Sequence, residues 1–267
     1  MSKTVCAVNY YCKFRLLFFV GSVLLAGIVF FSPSLALAGE WRVTPIRLFF
    51  ERGSRSSIVN VQNDGDASMN FQVKAMEWTQ DAQGKDQYSE TNDLIFFPKF
   101  LMVPPKEERV IRVGSKGVVG IREKTFRVFI EEVSPPRKDE KAEGATVSVN
   151  VRFAVPLFIS PVKVEPAGKL VKTELHKGVI SATLQNTGNV HFRLSSLDIR
   201  GRNAKGEETF SQKVDGWYLL NGTTRTFSAQ IPAEACMKTE LIEVEGATDR
   251  KIVLKGSLTV DKMQCTP

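Results

Sequence analysis

The sequence predicts an all-β protein built from two immunoglobulin-like β-sandwich domains joined by a short hinge. Three observations lead to this prediction. After the first 38 residues almost no stretch has a helical period, short segments alternate apolar and polar residues, and turn residues separate those segments. Because successive side chains of a strand point to opposite faces, each segment can cover one side of a core.

The N-terminal segment, residues 1–38, is predicted to be a cleaved signal peptide. Three basic residues precede an apolar run at residues 16–31, and Ala36 and Ala38 form an A-x-A cleavage pattern. A transmembrane anchor is the alternative. The run has about 16 residues, however, and a spanning helix needs roughly 20. We therefore expect an exported chain with no membrane span after signal removal.

The charge balance gives little support to nucleic-acid binding. The chain carries a formal net charge of +7, and removal of three signal-peptide cations leaves +4 (7 − 3). Acidic and basic residues are interleaved, and no basic tract is present. A mildly basic chain of this kind is expected to bind an acidic partner only at specific sites.

Two cysteines, Cys236 and Cys265, remain after signal removal. In an exported chain, two cysteines predict a disulfide bond rather than a metal site. Two unpaired buried thiols are the alternative.

Seven segments of the first domain are predicted strands, the number typical of an immunoglobulin-like sandwich. They are residues 42–50, 56–63, 69–78, 94–105, 108–113, 124–133 and 147–156. Pro98 predicts that the fourth segment lies at a sheet edge, because proline cannot donate a hydrogen bond to an inner ladder. The predicted first domain spans residues 39–160.

Two prolines and a glycine within residues 159–168 predict the hinge between the domains. Residues 161–267 repeat the alternation more weakly and predict a second sandwich. Its predicted strands are residues 178–186, 190–201, 217–222, 223–232, 239–246 and 251–260. Trp41, Trp78 and Trp217 are expected to pack in a core or at the hinge.

Motifs for catalysis and metal binding are absent from the sequence. His176 and His191 are the only histidines and stand in no nucleophile signature, and a zinc site needs more ligands than this chain offers at a workable spacing. The adjacent Glu131 and Glu132 point to opposite faces of a strand and cannot act as a pair. We expect no enzymatic activity, no cofactor and no metal.

The longest uninterrupted alternating run is "VSVNVRFAVP", residues 147–156. It places five apolar side chains on one face, namely Val147, Val149, Val151, Phe153 and Val155. In one interpretation this is a last sandwich strand that fills the protein's own core. In the other it is an edge strand that binds a partner by strand addition, where backbone bonds supply affinity and pockets supply specificity.

The order of several motifs resembles the periplasmic pilus-assembly chaperones of the chaperone–usher pathway. These motifs are "TPIRLFF" with "SSIVNVQNDGD", "VPPKEERVIRV", "FRVFIEEVSPP", "VSVNVRFAVPLFISP" and "LQNTGNVHFR". The resemblance covers essentially the whole chain after the signal and implies a periplasmic, non-enzymatic chaperone. It implies that the alternating strand donates its apolar side chains to a fimbrial (pilin) subunit, which the chaperone delivers to an outer-membrane usher.

The resemblance also implies that basic residues in the cleft between the domains hold the subunit's C-terminal carboxylate. Arg47 matches the family's first-strand arginine, but Pro156 stands at the usual lysine position and Ser160 where a hinge arginine is common. Either Arg47 acts alone, or another arginine replaces the lysine. Arg127 is the main candidate and Arg112 a weaker one, and such a change fits the family's divergent, archaic-type branch. A solvated charge on a sheet face is the alternative for each arginine.

Two rival functions follow from the same pattern. An exported structural or adhesive β-sandwich protein would stay at the cell surface and would not need a releasable edge strand. An exported hydrolase on a sandwich scaffold is disfavoured because the chain has only two histidines.

Overall fold

The computed structural model of the protein describes residues 40–51, 53–133 and 150–266. In these residues the protein is almost entirely β, with one short α-helix, α1 (Ala233–Lys238), and a 3₁₀ turn at Lys262–Gln264. No helix among them is both long and apolar enough to cross a membrane. The predicted signal peptide, Val147 and Val149 lie outside the described residues.

The first domain packs two sheets around one apolar core. Its described strands are β1 Trp41–Thr44, β2 Leu48–Phe50, β3 Ser56–Asn63, β4 Met69–Gln80, β5 Asp86–Glu90, β6 Leu94–Phe97, β7 Phe100–Val103, β8 Glu108–Ser115, β9 Lys124–Glu132 and β10 Arg152–Ile159. One sheet has the order β1-β3-β8-β6. The other has the order β2-β10-β9-β4-β5, with β7 also paired to β4. The core lies between them and includes buried residues of both sheets.

Prolines mark the points where two predicted strands divide. Pro45 separates β1 from β2, and Pro98 separates β6 from β7, so that each predicted strand contributes to both sheets. The β6 strand is an edge of its sheet, as Pro98 predicts, because an inner strand must donate its N–H groups on both sides.

The second domain also consists of two sheets. Its described strands are β11 Gly168–His176, β12 Val179–Asn186, β13 Phe192–Arg202, β14 Glu208–Asp215, β15 Tyr218–Leu219, β16 Thr224–Gln230, β17 Leu241–Thr248 and β18 Leu254–Thr259. The sheet orders are β11-β12-β16 and β14-β13-β17-β18, with β15 also paired to β13. The predicted boundary at residue 160 falls in the segment that connects β10 to β11.

The β11 and β14 strands were not predicted. Each lies at the edge of its sheet, and neither contains a fully buried residue. Only half-buried side chains of these strands pack against the second core, Leu170 and Leu175 of β11 and Phe210 and Val214 of β14. The period-2 signal is then too weak to recognise. Strands with one buried face, such as β12, were recognised.

A disulfide bond joins Cys236 in α1 to Cys265, as predicted, with the two Cα atoms 5.5 Å apart. Both cysteines are buried in the second core. The bond closes a loop with a sequence separation of 29, for which chain entropy predicts a stabilisation of about 3.5 kcal/mol.

Replacing both cysteines with alanine should therefore lower the free energy of unfolding by about 3.5 kcal/mol. Urea unfolding of the oxidised wild type and of the double variant measures the difference. Addition of a reductant should lower the stability of the wild type and leave the variant unchanged. Equal stability of both proteins under oxidising conditions would contradict the prediction.

Candidate functional site

The apolar side chains of the alternating run differ in burial along β10. Val155 is 2% exposed and belongs to the first core. Phe153 packs at the rim of that core, with its ring 4.6 Å from that of Trp41, and Val151 is 40% exposed. The run thus passes from solvent into the protein's own core. At the Val155 end the run therefore fills the protein's own core, and at the Val151 end its side chain is exposed.

The first half of β10 has an unpaired edge within the described residues. β9 pairs along the whole of β10, whereas β2 pairs only with Leu157–Ile159, because β1 belongs to the other sheet. The Glu132 amide donates to the Val151 carbonyl at 3.1 Å. Since such pairs alternate along an antiparallel ladder, the backbone groups of Arg152 and Ala154 face the unpaired edge.

Pro156 is compatible with the hydrogen-bond ladder between β9 and β10. Its nitrogen carries no hydrogen to donate, and the same alternation turns that nitrogen away from β9. It lies opposite Arg127 on β9. Arg47 directly precedes Leu48, which is the β2 partner of Leu157. Arg127 on β9 and Arg47, the residue before β2, therefore lie on either side of Pro156. Paired strands are about 5 Å apart.

Arg127 is a buried cation that forms no ion pair with any described residue. It is 6% exposed, its Nη1 donates to the Ala154 carbonyl at 3.0 Å, and its Nε has no hydrogen-bond partner there. Burial lowers the pKa of the guanidinium, while the neighbouring Tyr88 and Asp86 act in the opposite direction. Arginine still remains charged at neutral pH. A buried guanidinium with a spare donor is suited to bind a carboxylate.

Aromatic rings from both domains surround this guanidinium. Its central carbon lies 3.8 Å from the centre of the Trp78 ring, 5.6 Å from that of Tyr218 and 6.0 Å from that of Trp217. Cations within about 6 Å of such rings are attracted by the ring quadrupole. Trp78 belongs to the first domain, and the other two rings belong to the second.

Polar contacts and an apolar cluster join the second domain to this site. The buried cluster consists of Trp78, Phe158, Tyr218 and Leu220. The Gln80 side chain donates to the Tyr218 carbonyl at 2.9 Å and accepts from the Leu220 amide at 3.0 Å. Buried Glu123 accepts from the His191 backbone N–H at 2.8 Å and contacts its ring Nδ1 at 2.7 Å. The contact between the domains is therefore both apolar and hydrogen-bonded.

The three arginines named from the resemblance take different positions. Arg127 lies on β9, and half-buried Arg47 lies just before β2, so both are next to β10. Arg112 is exposed on β8 in the other sheet, opposite Ile58 and Phe97. The structure thus brings two of the three candidates to the alternating strand.

Sequence reasoning did not identify Gln80, Glu123 or His191 as contacts between the domains. Glu123 and His191 are 68 residues apart, and no short motif connects two side chains over such a distance. The tryptophans were expected to pack, and Trp78 is fully buried, whereas Trp217 remains 38% exposed.

Residues 41–165 match the family model described as pili and flagellar-assembly chaperone, PapD N-terminal domain. No curated protein matches the sequence.

Several solved structures share the two-domain fold. One is a chain of the complex of CsuC and the tip subunit CsuE, from archaic chaperone–usher Csu pili of Acinetobacter baumannii. It is 20% identical to this chain with a TM-score of 0.57, and the match covers 78% of this chain and 94% of that one. The YadV chaperone is 14% identical with a TM-score of 0.53, and the match covers 83% of this chain and 100% of that one. The Pseudomonas aeruginosa CupB2 chaperone is 16% identical with a TM-score of 0.50, and the match covers 82% of this chain and 100% of that one.

Proposed function

Because this chain belongs to the pilus-assembly chaperones, whose N-terminal domain it carries at residues 41–165, we propose that it binds pilin subunits in the periplasm and delivers them to an outer-membrane usher. One observation carries the proposal: the edge of β10 that has no strand partner among the described residues adjoins the exposed side chain of Val151. The family favours this function over a structural or adhesive role at the cell surface.

In the proposed complex, a subunit strand adds to the free edge of β10. It pairs with the backbone groups of Arg152 and with the N–H of Ala154, whose carbonyl already accepts from Arg127, while the apolar side chains of the run enter the subunit's groove. The donated side chains are those of Val147, Val149, Val151 and Phe153. Each fully buried Val or Phe contributes about 1.5–3 kcal/mol, so a few side chains are enough for a stable but reversible complex. Val155, the fifth residue of the run, stays in the first core and anchors the strand.

We also propose that Arg127, with Arg47 beside it, holds the C-terminal carboxylate of the subunit. The spare donor of Arg127 and its lack of an ion-pair partner in the described residues support this role. The two arginines on either side of Pro156 would then replace the lysine that the family usually places there.

The donor strand is tested by co-expressing the chaperone with a pilin subunit in the periplasm. We expect the Val149→Asp and Val151→Asp double variant to lose the one-to-one complex, because two carboxylates cannot enter an apolar groove. Its thermal unfolding midpoint should equal that of the wild type. A matched control is Val171→Asp with Val253→Asp, two exposed valines of the second domain, which should keep the complex. Retention of the complex by the strand variant would overturn the proposal.

The carboxylate anchor is tested by Arg127→Gln in the same experiment. Hydrogen bonds to charged groups contribute about 1.5–3 kcal/mol, so we expect the affinity for the subunit to fall by at least about tenfold. Arg112→Gln is the matched control and should bind as the wild type does. If the two variants behave alike, Arg127 does not hold the carboxylate.

A further inference from the structure

We propose that Trp217 is a positioning residue that keeps the carboxylate of Asp86 away from Arg127, and so leaves the guanidinium free for the carboxylate of the subunit. This inference rests on the proposed function and extends the site to the second domain.

Asp86 is the acidic group that competes for Arg127. It lies at the start of β5, directly opposite Gln80 on β4. Its negative charge is close enough to act on the pKa of Arg127, although burial has the larger effect and lowers that pKa. Nevertheless, no ion pair between Asp86 and Arg127 is present in the described part of the chain. Opposite charges in a partly buried site attract each other, so the absence of an ion pair between these two described residues needs a physical cause.

Both oxygens of Asp86 are already engaged by other donors. Gln80 Nε2 donates to Oδ1 at 2.9 Å, and the indole Nε1 of Trp217 donates to Oδ2 at 3.0 Å. Gln80 is fixed in turn by its bonds to the backbone at Tyr218 and Leu220. The carboxylate is thus held between a side chain of the first domain and one of the second.

The indole ring of Trp217 also contributes to the surroundings of the guanidinium. It packs edge-on against Tyr218, with ring centres 5.8 Å apart at 89°, and lies 6.0 Å from the central carbon of Arg127. The bond to Asp86 and the packing against Tyr218 together orient this partly exposed ring. A guanidinium that is oriented before binding loses less side-chain freedom when a carboxylate arrives.

Loss of the indole N–H frees Oδ2 of Asp86 to accept a hydrogen bond from Arg127. The resulting ion pair would compete with the subunit for the same donors. Trp217→Phe removes the N–H and retains an aromatic ring, and Asp86→Asn removes the competing charge while keeping an oxygen acceptor for Gln80. Combining the two substitutions therefore separates competition by Asp86 from a general disturbance of the site.

The experiment uses the full chain after signal removal and synthetic peptides of the C-terminal strand of a pilin subunit, each prepared as free acid and as amide. We expect Trp217→Phe to bind the acid peptide about tenfold more weakly than the wild type, the lower end for loss of a hydrogen bond to a charged group. Binding of the amide peptide should be unchanged. The Trp217→Phe, Asp86→Asn double variant should recover the affinity for the acid peptide. Wild-type affinity of Trp217→Phe, or no recovery in the double variant, would overturn the inference.

A second readout does not depend on the subunit. The ¹⁵N–¹H signal of Arg127 Nε should differ between Trp217→Phe and the double variant, because both have lost the indole ring but only the single variant can form the new ion pair with Asp86. Phe97→Leu, which alters an exposed aromatic residue of β6, should leave the signal unchanged. If the wild type does not distinguish acid from amide peptide, the proposed anchor fails, while the Arg127 signal still decides whether Trp217 restrains Asp86.

Discussion

Replacement of Val155 by aspartate should unfold the first domain, whereas the same replacement at Val151 should leave the domain folded. Both side chains belong to one alternating run, but Val155 is 2% exposed and Val151 is 40% exposed. A carboxylate at position 155 would lie in the first core without a partner, at a cost of several kcal/mol. At position 151 the carboxylate remains hydrated, and surface substitutions usually change stability by less than about 0.5 kcal/mol.

Urea unfolding followed by tryptophan fluorescence measures both effects. Val155→Ala serves as a size control and should lose only about 2 kcal/mol, because it creates a cavity without burying a charge. A wild-type unfolding midpoint for Val155→Asp would show that this end of the strand is not part of the core in solution. Strong destabilisation by Val151→Asp would show that the whole run serves the protein itself.

Glu123→Ala should lower the free energy of unfolding by about 3 kcal/mol. The carboxylate of Glu123 bonds to two groups of His191 in the second domain, and both side chains are almost fully buried. Removal of the carboxylate leaves a buried backbone N–H and a buried ring nitrogen unsatisfied, each at a cost of about 1–3 kcal/mol. The Phe158 ring, stacked 3.7 Å from His191, leaves little room for water to replace the lost acceptor.

Glu123→Gln retains an oxygen acceptor and should lose less stability than Glu123→Ala. Glu174→Ala is the control for loss of a carboxylate at the surface, because Glu174 pairs with Lys172 in an exposed position of β11. We expect little change there, as is usual for surface ion pairs. Equal effects of Glu123→Ala and Glu174→Ala would show that the buried pair does not stabilise the contact between the domains.

Local patterns were sufficient to predict the sandwich fold and many of its strands. The alternation in residues 56–63 and 179–186 predicts strands that the structure contains, because each has one buried face. Pro98 predicts an edge strand because the missing N–H is a property of a single residue. The β11 and β14 strands contact the core only through half-buried side chains, and their alternation is therefore weak.

The candidate site was predictable only in part. Arg47 and Arg127 were named from a family resemblance, and their positions on either side of Pro156 depend on strand pairing. The bond from Trp217 to Asp86 joins residues 131 positions apart. No local period or motif specifies such a contact, since it exists only after the two domains have come together.

Which side chains of the alternating run share a face follows from the order of the amino acids, because the period of two is a property of each strand and needs no partner. Whether that face is buried or exposed depends on the tertiary structure. Val155 is buried because both sheets of the first domain meet over it. The backbone edge near Val151 has no strand partner among the described residues, because β1 joins the other sheet. Burial and free edges depend on which distant strands lie side by side, and that is a property of the folded chain as a whole.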